Sequence, residues 1–361
     1  MTIKEQFINN PNKKTKKISI NFAGRSGSFF LHNLLEGHEN IITFQNEYDI
    51  YLYNLAKKFF LSNEDLSNYS NFLRKNLNIC IHEHSKIFNA GKLYYNLDKI
   101  CDEIEDIITK TKYKIIEKNF DFLIDIFFIS HSFLNQKYIN INDHYILIHT
   151  HTPFNKEDYI FFENNLNIHT LFLMLRDPVK AIDSHLFHHT AEHIVPSKTI
   201  FLDLLNLFAQ SFVSINESKR NTVFVISYEN LHNNTSMEID RICKRLTIKN
   251  DNILFIETIG RDKLHHQFIS NKETIYGFRK FTTLESLKIL KDYQVKLVEV
   301  LFKDVIKKFN YKLRFTSTFY ILFFFKFCYF TLKDNYSLLN LISSINRIYN
   351  LKKIKYRLEN I

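Results

Sequence analysis

Four short apolar runs, spaced by stretches long enough for helices, constrain the fold of this chain more than any other feature. Lys17–Ala23 alternates and then runs apolar, and similar runs occur at His144–His149, His169–Leu175 and Val223–Ser227. Each reads as a short buried strand. The first leads through Gly24-Arg25-Ser26-Gly27-Ser28 into a helical pattern over Phe29–Glu36. The third is followed by Asp177-Pro178, a helix-start signal, and by a helical stretch to about His193. Strands that alternate with helices are expected to form a parallel sheet flanked by helices, an α/β fold. Between about residues 48 and 142 the pattern is mostly helical, with Ile100, Ile104, Ile107 and Ile108 at helical spacing, which suggests a helical insertion.

At 361 residues, 45% hydrophobic and 24% charged, the chain can bury a sizeable core, and disorder over most of its length is excluded. Six Gly and four Pro against 36 Phe and 19 Tyr is a skew we attribute mainly to an AT-rich coding bias, so the few glycines carry unusual weight. Cys80, Cys101, Cys243 and Cys328 are widely spaced and form no CxxC pair, which reads as buried free thiols rather than a zinc site or disulfide framework. Met1–Lys17 is polar and basic with no apolar h-region, so a secretory signal is not expected and a cytoplasmic location is.

The net charge of +10 is unevenly placed. From Lys303 to Ile361 there are twelve Lys or Arg against three acids, so the first 302 residues are close to neutral. That distribution argues against a broad nucleic-acid groove on the main domain and assigns the basic C-terminus a separate surface. Phe315–Leu332 is almost wholly apolar and aromatic, interrupted by Lys326, and Leu338, Leu341, Ile342, Ile345, Ile348, Leu351 and Ile354 follow at helical spacing among basic residues. Eighteen residues with a central Lys is short for a spanning helix. Peripheral contact with an anionic leaflet, packing on the domain and a dimer contact all suit such a tail.

A glycine-bearing turn between a strand and a helix turns backbone N–H groups and the helix dipole toward an anion, and Arg25, Ser26 and Ser28 add donors to the same cradle. It is not a Walker A loop, because Gly27 is followed by Ser28 and Phe29 rather than by Lys. A second element begins at the end of the third strand: Arg176, then Asp177-Pro178, with Ser184 eight residues after Arg176, two turns into the next helix. Both side chains can face one ligand.

Together these elements resemble the sulfotransferase superfamily, in its bacterial and tyrosylprotein type, whose co-substrate is 3′-phosphoadenosine 5′-phosphosulfate (PAPS). The resemblance implies a P-loop-like parallel sheet, a cradle at Gly24, Arg25, Ser26, Gly27, Ser28 and Phe29 for the 5′-phosphosulfate, and Arg176 with Ser184 for the 3′-phosphate. Weaker elements fall in the family's order. Leu34-Leu35-Glu36-Gly37-His38 leads to Glu47, 22 residues after Arg25. His149-Thr150-His151-Thr152-Pro153 is similar to a strand end whose second basic residue is the catalytic His. Val225–Leu231 resembles a strand ending in YExL, which brings Tyr228 to the nucleotide, and Glu257–Arg261 resembles the stretch before a closing loop. The last loop of the cytosolic enzymes has only a loose echo in Tyr276–Lys280. The resemblance spans roughly Ile18 to Arg279. The resemblance covers neither the acceptor insertion nor the tail; the simplest division of the sequence is a catalytic domain over 1–312, with the insertion at about 48–142 as the place for an acceptor pocket, and an apolar-basic extension over 313–361.

Sulfuryl transfer needs a base for the acceptor hydroxyl or amine and a cation where the leaving oxygen gains charge. Arg25 suits the second role. Glu47 and His151 compete for the first, since a desolvated carboxylate can rise toward neutral pKa and a histidine needs little tuning. The acceptor implied is a glycan, a glycolipid or another hydroxyl compound, and no metal is required. His185, His189 and His193, with His188 adjacent, have a spacing that can hold a metal, but sixteen His make chance spacing the simpler account. Two rival classes remain: a P-loop-type kinase, disfavoured by the missing Walker Lys, and a non-catalytic, membrane-associated nucleotide-binding protein whose tail is the functional part.

Overall fold

The computed structural model describes residues 2–22, 26–44, 49–77, 96–111, 119–134, 144–149, 156–187, 200–210, 222–256 and 289–314, with 258–259, 262–263, 266–267, 274–275 and 287. Its centre is a five-stranded sheet of β1 (Lys16–Phe22), β2 (Ile41–Ile42), β3 (Tyr145–His149), β4 (Ile168–Leu175) and β5 (Val223–Ser227), in the order β2-β3-β1-β4-β5. Every pairing in it is parallel. The four longer strands match the apolar runs of the sequence to within a residue at each end. Strand β2 was not foreseen, because two residues are too short to carry a period.

Alternation along each strand divides the side chains between two cores. Ile18 and Ile20 of β1, Leu147 of β3 and Phe172 and Met174 of β4 pack on α2 (Ser28–Glu36) and on the helix Thr235–Leu246. Ile146 and Ile148 of β3 and Leu171, Leu173 and Leu175 of β4 face the other way. That second face is covered by α1 (Ile3–Asn9), α3 (Asp49–Leu61), α4 (69–77), α5 (Leu97–Thr111), α6 (Phe120–Leu134), α7 (Lys156–Asn165), α8 (Pro178–Phe187) and α9 (Ile200–Gln210). The helices α3 to α6 therefore belong to the main core, and α6, apolar nearly all round, is buried over thirteen consecutive residues.

The chain crosses the sheet one way from β1 to β2 and the opposite way from β2 through β3 and β4 to β5. With right-handed crossovers, α2 after β1 lies on one face while α7 and α8, around β4, lie on the other, and a crevice opens outside the carboxyl ends of the central strands. Registers of Phe22 with Met174 and Leu175 with Ser227 bring the ends of β1, β4 and β5 to one edge. This is where the glycine loop, Arg176 and Tyr228 emerge.

One buried charge cluster fixes the opposite edge. Lys17 of β1 is fully buried and its Nζ lies 2.7 Å from Asp121 Oδ1 and 2.6 Å from Asp125 Oδ1, two acids one turn apart on α6. The Thr15 amide donates to Asp125 Oδ2 and the Asn167 amide to Asp121 Oδ1. One ammonium facing two carboxylates leaves an excess buried negative charge. Burial pushes the Asp125 carboxyl up to about 6 against the pull of Lys17, with Asp121 adding to the rise. A raised folded-state pKa means that this group's stabilisation is complete below the ordinary carboxylate pKa of about 4 and is lost as pH rises through about 6. Asp125→Asn is therefore expected to gain stability relative to the parent as pH rises from 4 to 7, whereas Lys17→Met, which strands both acids, should lose about 3–5 kcal/mol. Paired denaturant titrations across that pH range check both; a constant difference between Asp125→Asn and the parent would contradict the first.

Cys101 and Cys243 are free and buried, and burial pushes their thiols up to about 12 and about 11 respectively, which makes them unreactive core residues. Cys80 and Cys328 lie outside the described residues.

Candidate active site

The glycine loop ends in a tight approach that only glycine permits. Gly27 caps α2 with φ +86°, in the left-handed region, and a β-carbon there would overlap Cδ2 and Cε2 of Tyr228. Ser26, before it, is fully buried, and its Oγ has no hydrogen-bond partner among the described residues. Ser28 is buried in the first turn of α2, and Phe29 beside it is half-buried. A buried hydroxyl without a partner beside a helix N-terminus is the arrangement an anion would complete. Gly24 and Arg25 lie outside the described residues.

Tyr228 opens α10 (Tyr228–Asn233), whose N-cap is Ser227 at the end of β5, with Ser227 Oγ accepting the Asn230 amide. Its ring is fixed from two further sides. The His232 ring meets it edge-on at 4.6 Å, and Phe30 of α2 stacks on His232 at 4.5 Å. The Arg176 guanidinium lies 4.9 Å from the centroid of Tyr228. Three separate loops, after β1, β4 and β5, thus meet around one phenol ring. The same ring that fills the space beside Gly27 also lies under the Arg176 guanidinium.

Arg176 is half-buried at the end of β4, and Ser184 is half-buried on α8. Asp177 is buried and starts α8, its Oδ1 accepting the Val179 amide at 3.0 Å. Arg176 thus follows β4 at the carboxyl edge of the sheet, and Ser184 lies on α8, the helix that comes next.

On the β2–β3 side the described residues include polar groups that sequence reasoning did not single out. His149, the last residue of β3, is buried with its ring 5.5 Å from that of His32 on α2, and it pairs in register with Ile20 of β1. Thr43, just past β2, is buried with Oγ1 unpartnered among the described residues, and so are Ser130 and Ser132 near the end of α6. Phe44 meets the His131 ring edge-on at 5.0 Å. The chain leaving Phe44 leads to Glu47, and that leaving His149 leads to His151. Both candidate bases lie outside the described residues.

Of the histidine stripe, His185 is described and His188, His189 and His193 are not. Among the described residues no group of three or more His, Cys, Asp or Glu has the arrangement of a metal site. The chemistry of the described cradle, hydroxyls with a guanidinium and a helix N-terminus, fits an anion.

No described protein family and no curated protein matches this sequence. Among solved structures, the chain is similar to the sulfotransferase domain of the Synechococcus PCC 7002 olefin synthase, at 14% identity and a TM-score of 0.43, over 80% of this chain and 96% of that one. It is also similar to the sulfotransferase domain of the curacin biosynthetic pathway, at 14% identity and a TM-score of 0.43, over 83% and 99%. A third is sulfotransferase STF9 from Mycobacterium avium, at 10% identity and a TM-score of 0.39, over 86% and 81%. All three are sulfotransferases. Similarity at this level assigns no residue of theirs to this chain, and the functional reading stands on the residues described above.

Proposed function

We propose that this protein is a sulfotransferase that moves the sulfuryl group of PAPS to a hydroxyl or amine of an acceptor, with a glycan or glycolipid as the favoured class. The observation that carries the reading is the meeting of Gly27, Tyr228 and Arg176 at the carboxyl edge of a parallel sheet, with the Ser26 hydroxyl, which has no partner among the described residues, beside them. An anionic nucleotide with a charged group at each end suits a cradle at one side and a guanidinium at the other.

In this reading Ser26, Gly27 and Ser28 hold the 5′-phosphosulfate, while Arg176 and Ser184 hold the 3′-phosphate and Tyr228 supports the nucleotide. The acceptor oxygen or nitrogen attacks sulfur, its bond to sulfur forms as the bridging S–O bond breaks, and its proton passes to Glu47 or His151. Adenosine 3′,5′-bisphosphate leaves with the bonding electrons, and Arg25 meets the charge that grows on its departing oxygen. No metal takes part in these steps.

Residues 315–361 lie outside the described part, and no helix among the described residues is long and apolar enough to cross a membrane. The composition of the tail supports a peripheral contact with an anionic leaflet at the cytoplasmic face, and flotation with and without anionic lipid vesicles tests it. The activity itself is tested by incubating the protein with PAPS labelled in its sulfate and fractionated cell extracts. Label should appear in a carbohydrate or glycolipid fraction; label that stays on the donor with every fraction would overturn the reading.

A further inference from the structure

The pair Arg176 and Tyr228 is held from behind by residues that the proposed chemistry does not use. Asp177 and Glu229, each the next residue in the chain, are joined to one another, since the Asp177 amide donates to Glu229 Oε1 at 3.0 Å. A segment from the far end of the described chain then closes on both. Arg314 Nη2 donates to Asp177 Oδ2 at 2.9 Å, and Tyr311 Oη donates to Glu229 Oε2 at 3.1 Å. Ser227 Oγ donates to the same Glu229 oxygen at 3.3 Å. Burial and the nearby Glu229 push the Tyr311 phenol far above its ordinary pKa, so it remains a donor throughout the neutral range. The Arg314 amide donates to Glu299 Oε1 at 2.6 Å, and Glu299 lies on the helix Asp292–Leu301. The segment is thereby anchored to the body of the domain.

We propose that Arg314 is a positioning residue of the nucleotide site, acting through Asp177 on the loop that carries Arg176. The inference rests on the donor reading above. Asp177 and Glu229 are two acids brought together behind Arg176 and Tyr228, and Arg314 is the cation paired with Asp177 among the described residues. Removing it leaves a buried carboxylate uncompensated at the start of α8, one residue from the guanidinium that must face the 3′-phosphate. Its other amino nitrogen, Nη1, is buried without a partner among the described residues, so a single donor is all the contact requires. A Lys ammonium can supply that donor.

The test is calorimetric titration of the full chain with adenosine 3′,5′-bisphosphate, for the parent, Arg314→Ala, Arg314→Lys, Arg176→Ala and the double Ala variant. Arg314→Ala should weaken binding roughly 5- to 30-fold, and Arg314→Lys should stay within about threefold of the parent. On the Arg176→Ala background the Arg314 substitution should add less than about twofold, because its effect is transmitted through the missing side chain. With PAPS as donor, Arg314→Ala should raise KM and leave kcat at saturation nearly unchanged. Parental affinity in Arg314→Ala while Arg176→Ala binds poorly, or fully additive losses, would overturn the positioning role and leave the donor reading intact. A parent that fails to bind the bisphosphate would overturn both. Should Arg314→Ala not fold, Asp177→Asn keeps an acceptor for the Val179 amide and removes the charge; it too must weaken binding, and parental affinity there counts against the proposal.

Discussion

Gly27→Ala is expected to lose about 2–5 kcal/mol of folding stability, the sum of a left-handed backbone imposed on an alanine and a methyl group forced into the Tyr228 ring. The ring has little room to retreat, because His232 stands edge-on to it, Phe30 backs His232, and the Arg176 guanidinium lies over it. The two contributions can be separated. In Gly27→Ala combined with Tyr228→Ala the overlap disappears and only the backbone cost remains, about 1–2 kcal/mol. The double variant should therefore be more stable than the sum of the single losses indicates, by an interaction energy that denaturant titration of all four proteins measures. Strict additivity would show that Gly27 and Tyr228 do not meet.

The largest effect on turnover is expected at the base. If Glu47 takes the acceptor proton, Glu47→Gln keeps the shape and leaves nucleotide affinity nearly intact, while turnover falls about 10²–10⁴-fold. His151→Asn then does less, or weakens the acceptor instead. If His151 is the base, the ranking reverses. Side-by-side rates at saturating donor decide between them, and near-parental rates in both would remove this pair from the mechanism.

The central strands were legible because a parallel strand buried on both faces must be apolar along its buried length, and Tyr145–Ile148 and Leu171–Leu175 are so. The positions of Gly27, Arg176, Ser184 and Tyr228 in the fold were legible because each sits at a fixed short distance in sequence from such a strand. The supporting contacts were not. Arg314 and Asp177 stand 137 residues apart, and no local pattern links them. Lys17 reads in sequence as the polar start of a strand, and only the packing of α6 against β1 turns it into the partner of Asp121 and Asp125. His149 was read only as the first basic residue of a motif pointing to His151, whereas its burial against His32 follows from the register of β3 with β1.

The central claim is that the carboxyl edge of this sheet holds the nucleotide of PAPS, and its most direct test is titration of the parent and of Arg176→Ala with adenosine 3′,5′-bisphosphate, beside ATP with Mg²⁺. The parent should bind the bisphosphate in preference to ATP, and Arg176→Ala should lose on the order of 2–3 kcal/mol of that binding, the worth of a charge-assisted contact to the 3′-phosphate. Equal affinity of the two proteins for the bisphosphate, or a parent that prefers ATP with Mg²⁺, would contradict it.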